Sequence, residues 1–148
     1  MDVDPLSAVV DYLSADAALV SLTNGQIAVK HRFGLSAGRG WTISPGTGAL
    51  QVRYVAGGVP DLYGEVQRIR VEARCYGVDQ EEAGHVYRRL VGISRETRRE
   101  LVHANGYTAM LYFFEQDQSP EFLFDPDLEL DMVMAFYVAE VAETEVTT

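Results

Sequence analysis

The sequence predicts an α+β fold: a single domain, residues 1–148, in which two main helices pack on a largely antiparallel sheet of four to five strands. A chain of 148 residues has the length of one domain. Hydrophobic residues make up 47% of it, which is enough for a buried core. Segments with helical and strand spacing of apolar residues follow one another in the order helix, two or three strands, helix, two strands, without a linker or repeat.

The first helix is predicted to begin after Asp4. Asp4 is a natural N-cap, and Pro5 suits the first helical position, where its missing N–H costs nothing. The next apolar residues are spaced at i, i+3, i+4 and i+7, which places on one face Leu6, Val9, Val10 and Leu13. We expect a further turn over residues 16–22, and then a short strand over residues 26–31.

Residues 33–48 hold five glycines and Pro45, and they predict a mobile loop. Its GLSAGRG segment lacks the GK[ST] pattern of a phosphate-binding loop. Arg39 and Trp41 are residue types that commonly anchor a partner surface. The alternative is that Trp41 folds back onto the core.

Two strands with alternating apolar and polar residues come next. Residues 50–54 predict a half-buried strand, and a turn over residues 57–61 leads to the clearest strand of the chain. One face of this clearest strand holds Ile69, Val71, Ala73 and Cys75. The other face holds Arg68, Arg70, Glu72 and Arg74. We interpret this polar row either as a solvated face or as a surface for an acidic neighbour. Cys75 fits the apolar face as a small buried hydrophobe.

The second main helix is predicted from Asp79, which with Glu82 resembles a capping box. Gly92 and Ser94 are expected to kink or stop this helix, and a last helical stretch is expected to reach about Leu101. The outward face carries five arginines, namely Arg88, Arg89, Arg95, Arg98 and Arg99. That row is either a solvated helix face or a cationic surface.

Two apolar runs, residues 107–114 and 128–141, predict the last strands. Both are apolar on both faces, so we expect each to be covered on both sides, by helices or by another subunit. Residues 116–126 are predicted to be a polar connection, and residues 142–148 a frayed tail.

No residues form a recognisable catalytic, metal-binding or cofactor-binding site. The three histidines lack metal-ligand spacing, and there is no nucleophile elbow. One acidic segment lacks the glycine and the closing glutamate of a calcium loop, although alternation would place on one face Asp125, Asp127, Glu129 and Asp131. A weak cation site is one interpretation of these acids, and an acidic partner surface is the other. We therefore predict that the chain is not an enzyme.

The charge is divided along the chain. The net charge of −10 argues against unaided nucleic-acid binding. All Lys and Arg residues lie between Lys30 and Arg99, and residues 101–148 carry ten acids and no Lys or Arg. This division indicates either solubility with an acidic tail, or a polarised surface whose positive flank meets a neighbour's negative flank. A head-to-tail contact of that kind generates a ring when its rotation closes.

No secretory signal or membrane span is expected. The first residues are acidic instead of basic, and no apolar stretch approaches the roughly 20 residues needed to cross a bilayer. With its single cysteine, the chain is expected to be soluble in a reducing cytoplasm.

The layout of the chain resembles the tail-terminator and tail-completion proteins of long-tailed bacteriophages. Three segments carry the resemblance: DPLSAVVDYLSADAALVSL before the glycine-rich stretch, RIRVEARCYG leading into DQEEAGHVYRRLVGISRE, and DPDLELDMVMAFYVAE at the end. The resemblance covers most of the chain and concerns its pattern, without an invariant signature.

The resemblance implies a ring, commonly a hexamer, at the head-proximal end of the tail in the virion, assembled in the host cytoplasm. Such a ring stops polymerisation of the tail-tube protein, presents a surface to the neck and head-completion proteins, and lets DNA pass through its channel. No cofactor and no membrane are implied. From the residues, the subunit or partner interface would be formed by Arg39, Trp41, Arg68, Arg70, Arg74, Arg88, Arg89, Arg95, Asp125, Asp127, Glu129 and Asp131.

Three alternatives remain at this point. The nearest is another neck component, a head-closure or connector-adaptor protein. A small-ligand-binding or enzymatic α+β domain would be a monomer or dimer with a polar pocket. A nucleic-acid-binding module would use the arginines of residues 88–99 and would bind with salt-sensitive affinity.

Overall fold

The computed structural model of the protein describes residues 4–33, 40–55, 66–104 and 106–144. In this part of the chain there are three helices and six strands: α1 (Pro5–Ser14), α2 (Ala17–Thr23), β1 (Ile27–Ala28), β2 (Ala49–Tyr54), β3 (Val66–Gly77), α3 (Gln80–Glu96), β4 (Glu100–Ala104), β5 (Tyr107–Asp125) and β6 (Leu130–Glu143). The strands form one curled mixed sheet in the order β1-β2-β3-β6-β5-β4. The β1–β2 pair is parallel, and the other pairs are antiparallel.

The predicted fold, two main helices on a largely antiparallel sheet of four to five strands, is therefore wrong. The structure has a third helix, a sixth strand and a parallel pair at one edge of a single curled sheet. The third helix and the additional strand each have a local cause at the boundary of an element.

The first predicted helix is divided into two at Asp16. The Asp16 carboxylate accepts a hydrogen bond from the backbone N–H of Leu19 at 2.9 Å, so it caps a new helix instead of lying inside the first one. Within the described residues, no single helix is long and apolar enough to cross a membrane. α1 and α2 meet that criterion only when taken together, and they meet at a bend of 85°.

The end of α3 explains the additional strand. The backbone N–H and the hydroxyl of Thr97 both donate to the carbonyl of Ile93, at 2.9 and 2.7 Å, and close the helix after Glu96. Arg99 then takes a left-handed φ of 52°, and the chain turns into β4. The predicted helix to about Leu101 is therefore wrong. A stop at Gly92 or Ser94 is also wrong, since α3 runs through both residues.

The predicted connection over residues 116–126 is mostly strand. β5 continues to Asp125 and pairs with β6, with register shifts between Gln116 and Gln118 and between Gln118 and Glu121. These irregularities accommodate Pro120, which cannot donate a backbone hydrogen bond to a regular ladder.

The helices cover one face of the sheet. The apolar face of β3 predicted from the sequence is confirmed as part of this core: Ile69, Val71, Ala73 and Cys75 are all buried there. The largest buried side chains of the core include Phe114 and Tyr137, whose rings stack with centroids 4.4 Å apart. The core thus lies between the helix layer and the centre of the sheet.

Some expectations lie outside the described residues. These are the turn over residues 57–61, residues 34–39 of the predicted loop, and residues 145–148 of the predicted tail. β6 extends through Ala142 and Glu143.

Two glycines are expected to respond oppositely to alanine. A Cβ at Gly77, where β3 meets α3, would collide with the backbone N of Ala83 and lie 2.8 Å from the carbonyl carbon of Glu82. At Gly92, inside α3, it would meet only the flexible end of Arg89 at 3.3 Å. We expect Gly77→Ala to lower the free energy of unfolding by about 1–3 kcal/mol. We expect Gly92→Ala to raise it by up to about 1 kcal/mol, since Ala is the better helix former.

Urea unfolding at neutral pH measures both changes. Equal free energies of unfolding for the two variants would contradict the close approach of the β3 end to the first turn of α3.

Candidate subunit interface

The face of the sheet opposite the helices is open over most of its area. The alternation of β3 places on it Arg68, Arg70, Glu72 and Arg74, and the paired positions of β6 add Met134, Phe136 and Val138. The three apolar side chains of β6 are partly buried, although no described helix covers them. This open face is therefore mixed, with charged residues beside apolar ones.

The charges of the open face are neutralised within the subunit. Glu72 is only 7% exposed and lies between Arg53 at 3.4 Å and Arg74 at 2.5 Å. Arg70 pairs with Asp117 at 2.5 Å. Arg68 lies 4.0 Å from Glu140 and stacks over the ring of Phe113. The three arginines of β3 that we predicted as interface residues thus have partners in their own chain.

Trp41 folds back onto the protein. Its ring makes an edge contact with Phe33 at 5.4 Å between centroids, and Phe33 makes another with Tyr76 at 5.0 Å. These rings belong to a second apolar cluster, built around Ala49, Tyr76 and Met132 at one end of the open face. Of the two interpretations of Trp41, the structure supports the one in which its side chain folds back onto the protein, because it packs against this cluster. Arg39 lies outside the described residues.

The outward face of α3 holds two kinds of arginine. Arg89 donates two hydrogen bonds to the carboxylate of Asp16, at 2.9 and 2.7 Å, and so ties α3 to the start of α2. Arg88 and Arg95 are exposed and make no salt bridge within the described residues. They are seven positions apart, about two helical turns, so they lie on one face. Of the predicted interface arginines that the structure describes, these two are the ones without a salt bridge.

The four predicted interface acids lie around a hairpin turn, instead of on one face of a strand. Asp125 ends β5, Asp127 and Glu129 lie in the turn, and Asp131 is the second residue of β6. The Asp125 carboxylate accepts hydrogen bonds from the backbone N–H groups of Asp127 and Leu128, at 2.9 and 3.1 Å. The β5–β6 turn is therefore an acidic end of the molecule.

No cation site is supported at that turn. Among the described residues, no group of three or more His, Cys, Asp or Glu side chains is placed to hold a metal ion. Cys75 is fully buried, and burial raises the pKa of its thiol, which disfavours the reactive thiolate.

Three apolar residues beside the acidic turn were not predicted as surface residues from the sequence. Phe122, Leu123 and Phe124 are 52, 37 and 59% exposed. They lie in β5 where the strand has an open edge among the described residues, since β4 pairs only with residues 107–111. The FLF triplet was the available signal, and it was hidden by the polar residues on either side, which predicted a connection.

No protein-family model matches the chain, and no curated protein matches it significantly.

Removing the charge of Asp16 tests the contact between α2 and α3. The hydrogen bonds from Arg89 lower the pKa of Asp16. Stabilisation by a carboxylate with a lowered pKa is complete above its unfolded pKa of about 4 and is lost as the pH falls below that value. Asp16→Asn keeps a good N-cap residue, so we expect it to lower the free energy of unfolding by about 1 kcal/mol at pH 7.

Urea unfolding of both proteins at pH 7 and pH 3 measures this effect. The difference in free energy of unfolding between the two proteins should shrink at pH 3. At that pH, protonation of Asp16 in the unfolded wild type removes part of the stabilisation that the ion pair provides. A difference of equal size at both pH values would contradict the ion pair. Glu96→Gln is the matched control, because Glu96 is the more exposed and more distant partner of Arg89, at 3.5 Å.

Proposed function

We propose that this chain is a structural virion protein that forms a ring at the head-proximal end of the tail tube of a long-tailed phage. The ring stops polymerisation of the tube and joins the tail to the head. Its partners are further copies of itself, the tail-tube protein and a neck protein, and DNA passes through its channel. The proposal rests on the resemblance in layout and on the distribution of charged and apolar residues over the surface.

One observation carries the self-assembly part of the proposal: opposite charges lie on separate parts of the subunit and make no salt bridge with other described residues. The β5–β6 turn is acidic, while Arg88 and Arg95 on α3 make no salt bridge within the described residues. Unlike charges on different patches favour contact between a patch on one copy and a different patch on the next. Such heterologous contacts produce rings when the rotation closes.

The open face of the sheet supports the proposal less strongly than the charges on α3 and the β5–β6 turn do. Its arginines are paired within the subunit, so it offers no free cationic surface to an acidic partner or to nucleic acid. Arg88 and Arg95 of α3 are exposed, but the chain as a whole has a net charge of −10, and this negative charge opposes unaided binding to DNA. Protein partners therefore fit the described surface better than nucleic acid does.

Charge reversal on α3 tests the assembly directly. Arg88→Glu with Arg95→Glu places acids where a neighbour's acidic surface would lie, so we expect the oligomer to dissociate at least tenfold more readily in sedimentation experiments. Circular dichroism should be unchanged, because neither side chain has an ion-pair partner in the described fold. Lys30→Glu with Arg32→Glu is the control, since it changes the net charge equally at exposed positions outside α3.

An unchanged oligomer in the α3 variant would contradict a role for these arginines. Equal weakening in both double variants would mean that total charge, and not the α3 face, controls assembly.

Deletion of the gene from the parent virus tests the place of the ring. We expect electron microscopy to show overlong, headless tails of variable length, because nothing would stop the tube. Tails of normal length that fail to join heads would identify a neck adaptor instead. Intact virions would contradict both roles.

A further inference from the structure

Two glycines inside α3 are not explained by packing within the subunit. Gly84 and Gly92 lie in the interior of this 17-residue helix, where glycine is a much poorer helix former than alanine. A Cβ at Gly92 would meet only the end of Arg89, and a Cβ at Gly84 would have the guanidinium of Arg88 as its nearest neighbour. These flexible side-chain ends can move aside, so the described part of the subunit does not require glycine at either position.

The glycines belong to a cationic face of the helix. Arg88 lies four residues from each glycine, and Arg95 follows Gly92 by three residues, so all four positions share the face that points away from the sheet. The guanidinium of Arg88 lies against the helix at Gly84. Both arginines are exposed and make no salt bridge within the described residues. Between Arg88 and Arg95 the helix thus presents a shallow, cationic surface about 10 Å long, which we call the outer face.

The acidic β5–β6 turn projects beyond its neighbours in the sheet. β3 ends at Gly77, whose partner in β6 is Asp131, so residues 125–130 extend past the end of β3. Asp127 and Glu129 are exposed in this turn, and neither makes a salt bridge with another described residue. The turn therefore presents two carboxylates at one end of the subunit.

Contacts within the turn hold its backbone in one conformation. The carboxylate of Asp125 accepts hydrogen bonds from the backbone N–H groups of Asp127 and Leu128, at 2.9 and 3.1 Å. Glu129 has a left-handed φ of 54°, and the side chains of Leu128 and Leu130 pack against the aromatic cluster at the end of the open face. A turn that is already fixed loses little conformational entropy when it binds a partner.

The turn and the outer face are held apart within one copy. Gly77 pairs with Asp131 at the base of the turn, and α3 begins at Gln80. The turn therefore lies beside the first residues of α3, whereas Arg88 and Arg95 follow roughly 12 and 22 Å further along the helix. Contact between these acids and these arginines requires a second copy.

We infer that the β5–β6 turn of one copy docks across Gly92 on the outer face of α3 in the next copy. Asp127 and Glu129 face Arg88 and Arg95, and the backbone of the turn approaches the helix where glycine leaves no side chain. The occupant is a second copy because the chain itself carries a fixed, projecting turn whose charge is opposite to that of the outer face. The inference rests on the proposed function, since it assumes self-assembly and assigns the two surfaces in contact.

A side chain at Gly92 separates this docking from folding. Gly92→Gln adds a good helix former, so the free energy of unfolding should not fall. The added side chain would lie between the turn and the helix, so we expect the dissociation constant of the oligomer to rise about tenfold or more. Gly92→Ala should have a smaller effect in the same direction. Ser21→Gln is the control, because Ser21 is an exposed position of another helix, α2.

Urea unfolding and sedimentation velocity measure the two properties. A folded Gly92→Gln variant that assembles as tightly as the wild type would overturn the docking. Equal weakening by Ser21→Gln would also overturn it, because bulk on any helix surface would then have the same effect.

Charge exchange tests the same contact without adding bulk at the glycine. A turn variant, Asp127→Arg with Glu129→Arg, and an α3 variant, Arg88→Glu with Arg95→Glu, should each be monomeric by native mass spectrometry. Mixed in equal amounts, they should form oligomers that contain both chains in equal numbers, because every contact between unlike chains then joins opposite charges. Carrying all four substitutions in one chain should also restore assembly.

Reversal of two acids outside the turn provides the matched control. Glu115→Arg with Glu121→Arg makes the same change in net charge at exposed positions of β5. This control should assemble like the wild type. A mixture of the turn and α3 variants that stays monomeric, with both chains folded by circular dichroism, would contradict the pairing of these charges.

The outcomes separate this inference from the proposed function. If the wild type assembles and the turn, α3 and Gly92→Gln variants assemble equally well, the docking is wrong and the ring proposal stands. If the variants behave as expected but deletion of the gene leaves virions intact, the docking stands and the tail role is wrong.

Discussion

The pairing of β3 with β6 is the constraint on which the rest of the structure depends. It joins twelve residue pairs, from Val66 with Ala142 to Gly77 with Asp131. Because side chains alternate across a strand, this register decides which residues meet the helices and which lie on the open face. It also sets the end of β3 beside the acidic turn, and therefore the place where α3 begins.

The helix layer covers only one side of this sheet, and the open side is stabilised in two other ways. One end is covered by the aromatic cluster that includes Phe33 and Trp41. The remainder is held by ion pairs, of which the nearly buried Glu72 between two arginines is the most protected from water. A surface that satisfies its own charges does not need a partner. Arg88 and Arg95 on the outer face of α3, by contrast, make no salt bridge within the described residues.

Sequence patterns predicted the parts of the fold that local chemistry determines. Asp4 and Asp79 cap the helices as expected, and the alternation in β3 correctly separated its buried face from its polar face. The patterns failed where tertiary pairing outweighs local preference. The pattern predicts helix to about Leu101, yet the helix ends before Thr97 and Arg99, and pairing with β5 makes residues 100–104 a strand. Residues 116–121 are mostly polar and lie in a strand that β4 does not cover, and pattern alone cannot distinguish such an edge from a loop.

The same limit applied to the interface. Sequence analysis identified the arginine rows and the acids, but it could not show that the β3 arginines are paired within the chain while Arg88 and Arg95 make no salt bridge in its described part. Nor could it show that Phe122 and Phe124 face outward, since exposure depends on how far the helices extend over the sheet.

The central claim is that this subunit assembles with copies of itself through two different patches. Native mass spectrometry of the wild-type protein, over a range of protein and salt concentrations, tests that claim most directly. The account predicts a single closed oligomer of more than two copies that dissociates as salt rises, because its contacts include unlike charges. A monomer at every concentration, or a dimer that grows no further, would contradict it.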